Sequence, residues 1–195
     1  MSTSIMPPTA ALPPTQGGLV LRPAQAGDAA VLSDLAFRSK AFWGYSDSLM
    51  AAFREELTLT EAQATQAVVA DVDGVLAGFY LLGPVTGALP AADRSEVESG
   101  VPVGELQMLF VEPDFIGAGV GRVLFQAAVS AALTRSWRRL YIEADPQAAG
   151  FYEQVGAVTV GERLGSVPGR ILPLLCKTLP TAGQGGRGSR ATYWR

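Results

Sequence analysis

Histidine is missing from the 195 residues, and cysteine occurs once, at Cys176. The first absence removes the usual general base, the Ser-His and Cys-His nucleophile couples and the commonest metal ligand together. The second excludes an internal disulfide and a cysteine-based metal cluster, and fits a reducing compartment. Acid–base chemistry is left to Asp, Glu, Tyr or Lys, and no metal is expected. An excess of positive charge is missing as well: 15 Lys and Arg against 18 Asp and Glu leave a net charge of -3, which offers no basic face to a nucleic-acid backbone. No apolar run is long enough to span a membrane. The opening MSTSIMPPTAALPPTQGG lacks the basic start and continuous apolar segment of a secretory signal. These absences point to a cytoplasmic protein without a nucleic-acid or membrane partner.

What is present suffices for one core: nearly half of the chain is apolar. The proline-rich residues 1–17 read as a flexible lead-in, residues 18–179 as one folded domain, and the glycine-rich, cationic residues 180–195 as a flexible tail, with docking of Tyr193 and Trp194 on a partner as the other reading. The chain is expected to work as a monomer or a homodimer.

Within the domain, LVLRPA from Leu19 reads as a strand, and Asp28 stands where it would cap a helix carrying Val31, Leu32, Leu35 and Ala36 on one face. A second helix restarts after Ser46 or Asp47, with Leu49, Met50 and Phe53 on one side. QAVVADVDGVLAGFYLL reads as two strands around Asp73-Gly74, a dipeptide suited to a tight hairpin. The stretch from Gly83 to Pro102 is polar and reads as a loop or a loose strand end. GELQMLFVEP resumes as a strand. Val120, Leu124, Ala127, Ala128 and Ala131 then repeat at helical spacing, RRLYIEAD is the next strand, and Pro146 and Gly156 bracket a short helix. VTVGERL and RILPLLCKTL close the order β-α-α-β-β-β-α-β-α-β-β around a GSVPG turn. That order predicts an α/β fold with a mixed central sheet of about six to seven strands and helices on both faces.

The segment FIGAGVGRV places Gly117, Gly119 and Gly121 at alternate positions between a strand and a helix. Such a loop supplies unpaired backbone N–H groups and the positive end of a helix dipole, a setting for phosphate oxygens. A tight turn requiring positive φ is the competing explanation. A Walker loop fails, because Gly121 is followed by Arg122 and Val123 rather than Lys and Ser or Thr. A dinucleotide fingerprint would take Gly117 and Gly119, with Glu143 or Asp145 as the ribose acid, but its third glycine would fall on Arg122. An NAD-dependent oxidoreductase therefore stands as a distant alternative.

LQMLFVEPDFIGAGVGRVLFQAAV resembles the acetyl-CoA-binding motif of the Gcn5-related N-acetyltransferases (GNAT), and EADPQAAGFYEQVGA resembles that family's later Asn-x-x-Ala-x-x-Phe-Tyr-x-x-x-Gly motif. The two occur in the family's order and separation, and the element order matches from Leu19 to about Leu179. RSKAFWGYS and GSVPGRILP are similar to segments of a bacterial subgroup of undefined substrate. The resemblance implies acetyl-CoA as co-substrate. Its pyrophosphate would meet the backbone N–H groups of Gly117, Ala118, Gly119, Val120, Gly121 and Arg122, and its pantetheine arm the strand backbone at Leu109, Phe110 and Val111. Ile116 stands where the family has Arg or Gln, Asp145 where it has Asn at the cofactor edge, and Ala157 where it has an aromatic residue.

Acetyl transfer from a thioester to an amine needs the amine deprotonated, the oxyanion stabilised and the departing thiolate reprotonated. The resemblance places the general acid at Tyr152, a phenol that stays protonated at neutral pH; packing of Phe151 and Tyr152 onto the sheet is the plainer reading of the same residues. It makes Glu105, at the start of the thioester strand, a candidate base. The resemblance also places Arg38, Trp43 and Tyr45 on one wall of the acceptor pocket, where an aromatic face can hold a cationic amine or an arginine a carboxylate; core packing of Phe42 and Trp43 is the plainer reading. The acceptor is expected to be the primary amine of a small molecule or a peptide. A CoA-binding or sensing module of the same fold with reduced catalysis is the alternative, motivated by Ile116 and Asp145.

Overall fold

The structure, a computed structural model, describes residues 18–180; the lead-in 1–17 and the tail beyond Pro180, with Tyr193 and Trp194, lie outside the described residues. Seven strands, β1 (Leu19–Pro23), β2 (Ala67–Val72), β3 (Val75–Gly83), β4 (Val103–Val111), β5 (Arg139–Glu143), β6 (Val158–Leu164) and β7 (Ile171–Thr178), form one mixed sheet in the order β1-β2-β3-β4-β5-β7-β6. Six helices accompany them: α1 (Ala29–Ala41), α2 (Asp47–Ala52), α3 (Glu61–Ala64), α4 (Ala91–Glu98), α5 (Val120–Thr134) and α6 (Ala149–Gln154). The antiparallel pairing of β5 with β7 is not the arrangement of a doubly wound parallel sheet, which removes the fold that a dinucleotide reading required. No helix among the described residues is long and apolar enough to cross a membrane.

Two compact units divide the chain, one holding the residues up to Tyr80 together with Leu109–Phe125, the other Leu81–Met108 and the residues from Gln126. In the first, β1 runs antiparallel to β2 from Leu19↔Val72 to Pro23↔Val68. Asp73 (φ 55°) and Gly74 (φ 81°) both take positive φ between β2 and β3, the backbone that a two-residue hairpin demands. Leu32, Leu35, Phe53, Phe79, Leu124 and Phe125 are buried in this unit. Gly78 makes a close approach possible: a Cβ there would stand 2.6 Å from the Phe110 carbonyl oxygen and 2.9 Å from Leu124 Cδ1. Strand β4 and the first turns of α5 are thereby set directly against β3.

In the second unit β4 and β5 pair in parallel through Val103↔Arg139, Gly104↔Leu140 and Glu105↔Tyr141, after which β4 runs on to Val111. Trp137 lies against the backbone of Gly104, where any side chain would collide with its ring. Tyr141, Leu174 and Cys176 form a buried cluster with Val85, Leu89, Val103 and Val160 packed on it.

Three local expectations change. Asp28 does not cap α1 with its side chain; its carboxylate accepts the Gln25 N–H at 2.9 Å and an Arg22 N–H at 3.0 Å, closing a short 3-10 turn ahead of the helix. Helix α3 was legible as a capping box that hydrophobic periodicity ignored: Thr60 Oγ1 accepts the Gln63 N–H at 3.2 Å, and Gln63 Oε1 accepts the Thr60 N–H at 2.9 Å. Helix α4 occupies the stretch read as a loop, because its inward side is ionic rather than apolar. Asp93, its buried residue, accepts the Tyr141 hydroxyl at 2.9 Å, and Glu96 takes both Nε and Nη2 of Arg139 at 2.6 Å.

Candidate active site

Gly117 and Gly119, both in the first unit, hold φ of 87° and 88°, which only glycine adopts without strain, and each has open space where a Cβ would stand. The Val123 N–H donates to the Gly119 carbonyl at 3.1 Å, so Gly119 is the cap of α5. A glycine cap brings no side-chain oxygen to the first turn, and the N–H groups of Val120, Gly121 and Arg122 have no acceptor within the helix. These groups and the dipole behind them fit a phosphate. The Ala118 N–H is already used, donating to Phe115 at 3.1 Å. Leu109, Phe110 and Val111 are half-buried on β4, with the Phe110 ring 5.9 Å from that of Phe79.

Of the three acceptor-wall residues, each in the same unit, Arg38 forks onto Glu112, with Nε and Nη2 at 2.8 and 2.7 Å from the two carboxylate oxygens. Hydrogen bonding to Glu112 raises the Arg38 pKa further, so the fork stays charged. Tyr45 packs edge-on to Phe53 at 5.5 Å, with Lys40 Nζ 4.6 Å from the Phe53 ring centre and 5.9 Å from that of Tyr45. Trp43 is 38% exposed, edge-on to Phe42. Arg38 is exposed as well, whereas Tyr45 is half-buried.

In the second unit Glu105 is buried. Its Oε2 accepts the Thr86 N–H at 3.0 Å and its Oε1 an Arg163 N–H at 3.1 Å. Arg163 also approaches Glu143 at 3.6 Å and donates from Nε to the Ala88 carbonyl at 2.8 Å. Gly87 lies flat on this guanidinium, since a Cβ there would stand 2.8 Å from Cζ. Arg163 Nη2 is buried and finds no hydrogen-bond acceptor among the described residues.

Asp145 follows β5. Its Oδ2 accepts Arg170 Nη2 at 2.9 Å, its Oδ1 the Gln147 N–H at 2.9 Å, and its carbonyl the N–H groups of Ala148 and Ala149 that lead into α6. Tyr152, on α6, is buried; desolvation above all, then the charge of Asp145, pushes its phenol pKa far up. Lys177 donates to the carbonyls of Val155 and Gly156 and closes the helix after Tyr152. The second unit thus ties Glu105 to Arg163 and Asp145 to Arg170, two arginines of the β6–β7 hairpin.

Sequence reasoning missed those partners. Glu112, directly after β4, and Arg163 carried no signal, because an ion pair between residues far apart in sequence leaves no periodicity in the chain. Arg170 stood in view at the end of the GSVPGR turn, where a lone basic residue reads as solvated.

The model of the acetyltransferase (GNAT) family matches residues 32–157. Over 72 residues, 36% of this chain and 46% of the relative, the sequence is 40% identical to the peptidyl-lysine N-acetyltransferase YjaB of Escherichia coli K12. Over 91 residues, 40% of this chain and 27% of the relative, it is 34% identical to the mycothiol acetyltransferase of Nocardiopsis dassonvillei. The chain thus spans between about a quarter and a half of the length of these curated relatives. The PaiA N-acetyltransferase of Thermoplasma acidophilum, solved in complex with coenzyme A, superimposes with a TM-score of 0.63 at 16% identity, over 83% of this chain and 99% of that one.

Proposed function

The chain belongs to the acetyltransferase (GNAT) family, and from that premise we propose that it transfers an acetyl group from acetyl-CoA to the primary amine of a small molecule or peptide by direct attack. The observation that carries this reading is the glycine-capped start of α5, where positive φ at Gly117 and Gly119 leaves a bare backbone turned to helix N–H donors. The pyrophosphate would be held there by Val120, Gly121 and Arg122. Acetyl-CoA supplies a thioester, whose acyl carbon a neutral amine can attack.

The protein's own groups then handle protons. Tyr152 keeps its phenol protonated across the working range because burial opposes phenolate, so a proton is available for the sulfur. Glu105 is held in place by Arg163 and the Thr86 N–H, and from that position it would take the amine proton through a water. Trp43 supplies an open aromatic face for the acceptor, while Arg38 and Tyr45 brace the wall beside it. The free cysteine, buried at Cys176, accords with a reducing compartment such as the cytoplasm.

The commitment of both Glu105 oxygens also favours a second reading, a CoA-binding module with little catalysis. Thiol release from acetyl-CoA against a panel of primary amines separates the two. Amine-dependent release is the expected result; tight acetyl-CoA binding without release on any amine selects the module.

A further inference from the structure

The acidic residue at 145 stands where the family motif has a neutral Asn, and a carboxylate beside the general acid ought to oppose the reaction. We propose that Arg170 is a positioning residue that balances the charge of Asp145 next to Tyr152, so that negative charge can develop on a departing thiolate there. The proposal rests on the acetyl-transfer reading above.

Arg170 Nη2 lies 2.9 Å from Asp145 Oδ2, and the two side chains are only 15% and 11% exposed. Both ends are fixed by backbone. The Gly165 N–H donates to the Arg170 carbonyl at 2.8 Å and the Arg170 N–H to Val167 at 3.1 Å, so the hairpin turn presents the guanidinium. Asp145 is tied to the turn that begins α6 through its carbonyl and its Oδ1, one helical turn ahead of Tyr152. Glu143, two residues earlier, has its own guanidinium in Arg163 at 3.6 Å. The β6–β7 hairpin therefore supplies a cation to each acid at the end of β5.

When the acyl carbon–sulfur bond breaks, the electron pair stays on sulfur, which takes the Tyr152 proton; the phenolate regains the proton that the amine has lost. An unbalanced carboxylate at 145 would work against both the thiolate and the phenolate. Arg170, 2.9 Å from that carboxylate, opposes its charge and brings residue 145 closer to the neutral Asn of the motif.

Calorimetry with CoA and acetyl-CoA at about pH 9, where an ordinary thiol is largely ionised, tests this without knowledge of the acceptor. Arg170→Met should weaken CoA about threefold relative to acetyl-CoA, the effect at that pH of raising the bound thiol by about one pK unit from the ordinary value of about 8.5. Arg170→Lys should keep most of the wild-type ratio, and Asp145→Asn/Arg170→Met should restore it. A pair with a merely structural role would weaken both ligands alike, and that result, or a double variant that fails to restore the ratio, overturns the proposal. Should Arg170→Met not fold, Asp145→Asn alone must favour CoA over acetyl-CoA relative to wild type; no change in the ratio is equally fatal. A wild-type protein that binds neither ligand instead removes the acetyl-transfer reading on which the proposal stands.

Discussion

Arg163 on β6 places Nη1 3.1 Å from Glu105 Oε1 on β4, with the two side chains 5% and 6% exposed. The ion pair ties the candidate base into the fold, and its two partners are separated by 58 residues of sequence. Removal of one partner leaves an uncompensated buried charge, which typically costs about 3–5 kcal/mol. Arg163→Met is therefore expected to destabilise the protein by about that amount in urea denaturation, and Glu105→Met/Arg163→Met to recover most of the loss. Additive losses in the double variant would mean that the two residues do not form one unit.

Glu105→Gln keeps the shape of the side chain and removes its capacity to take a proton. Turnover is expected to fall by about 10²–10⁴-fold with acetyl-CoA affinity nearly unchanged, provided the variant is shown folded by its thermal transition. Unchanged turnover would remove Glu105 from the proton path.

Gly119→Ala puts a side chain on a residue with φ of 88° at the cap of α5. No neighbour within 4 Å obstructs the new methyl group, so the stability loss should be confined to backbone strain, about 1–2 kcal/mol. The loss of acetyl-CoA affinity should be larger, because a methyl group in the open space at the cap would crowd a phosphate brought to the N–H donors of α5. Calorimetry and denaturation on the same variant distinguish these effects; full affinity would detach the glycines from cofactor binding.

Tyr152 and Tyr141 both have phenol pKa values pushed well above the ordinary value, by burial in the first place. An acid whose pKa is higher in the folded than in the unfolded state contributes stability that is intact below the unfolded value, about 10, and is lost as pH rises above it. Stability measured by denaturation should therefore be flat through neutral pH and fall above about pH 10, and less steeply in Tyr152→Phe.

Much of the fold was legible because its signals are local. The positive φ at Asp73 and Gly74, the capping of α2 by Ser46, whose hydroxyl accepts the Leu49 N–H at 3.4 Å, and the apolar stripe of α5 are each written within a few residues. Helix α4 was not legible: its inward residues are Asp93 and Glu96, and what makes them inward is Arg139 and Tyr141, more than forty residues away. The same holds for the site. The glycine loop and Tyr152 announce themselves in motifs, whereas the guanidinium partners of Glu105 and Asp145 come from a hairpin that the chain reaches later, and a long-range ion pair has no period.

Amine acetylation from acetyl-CoA is decided by incubating the protein with acetyl-CoA and a panel of primary amines and following free thiol together with the mass of each amine. Thiol release is expected to depend on both enzyme and amine, with one or more amines gaining an acetyl group in step with it, and to be lost in Tyr152→Phe. Thiol release independent of every amine, or acetyl-CoA that neither binds nor reacts, would contradict acetyl transfer.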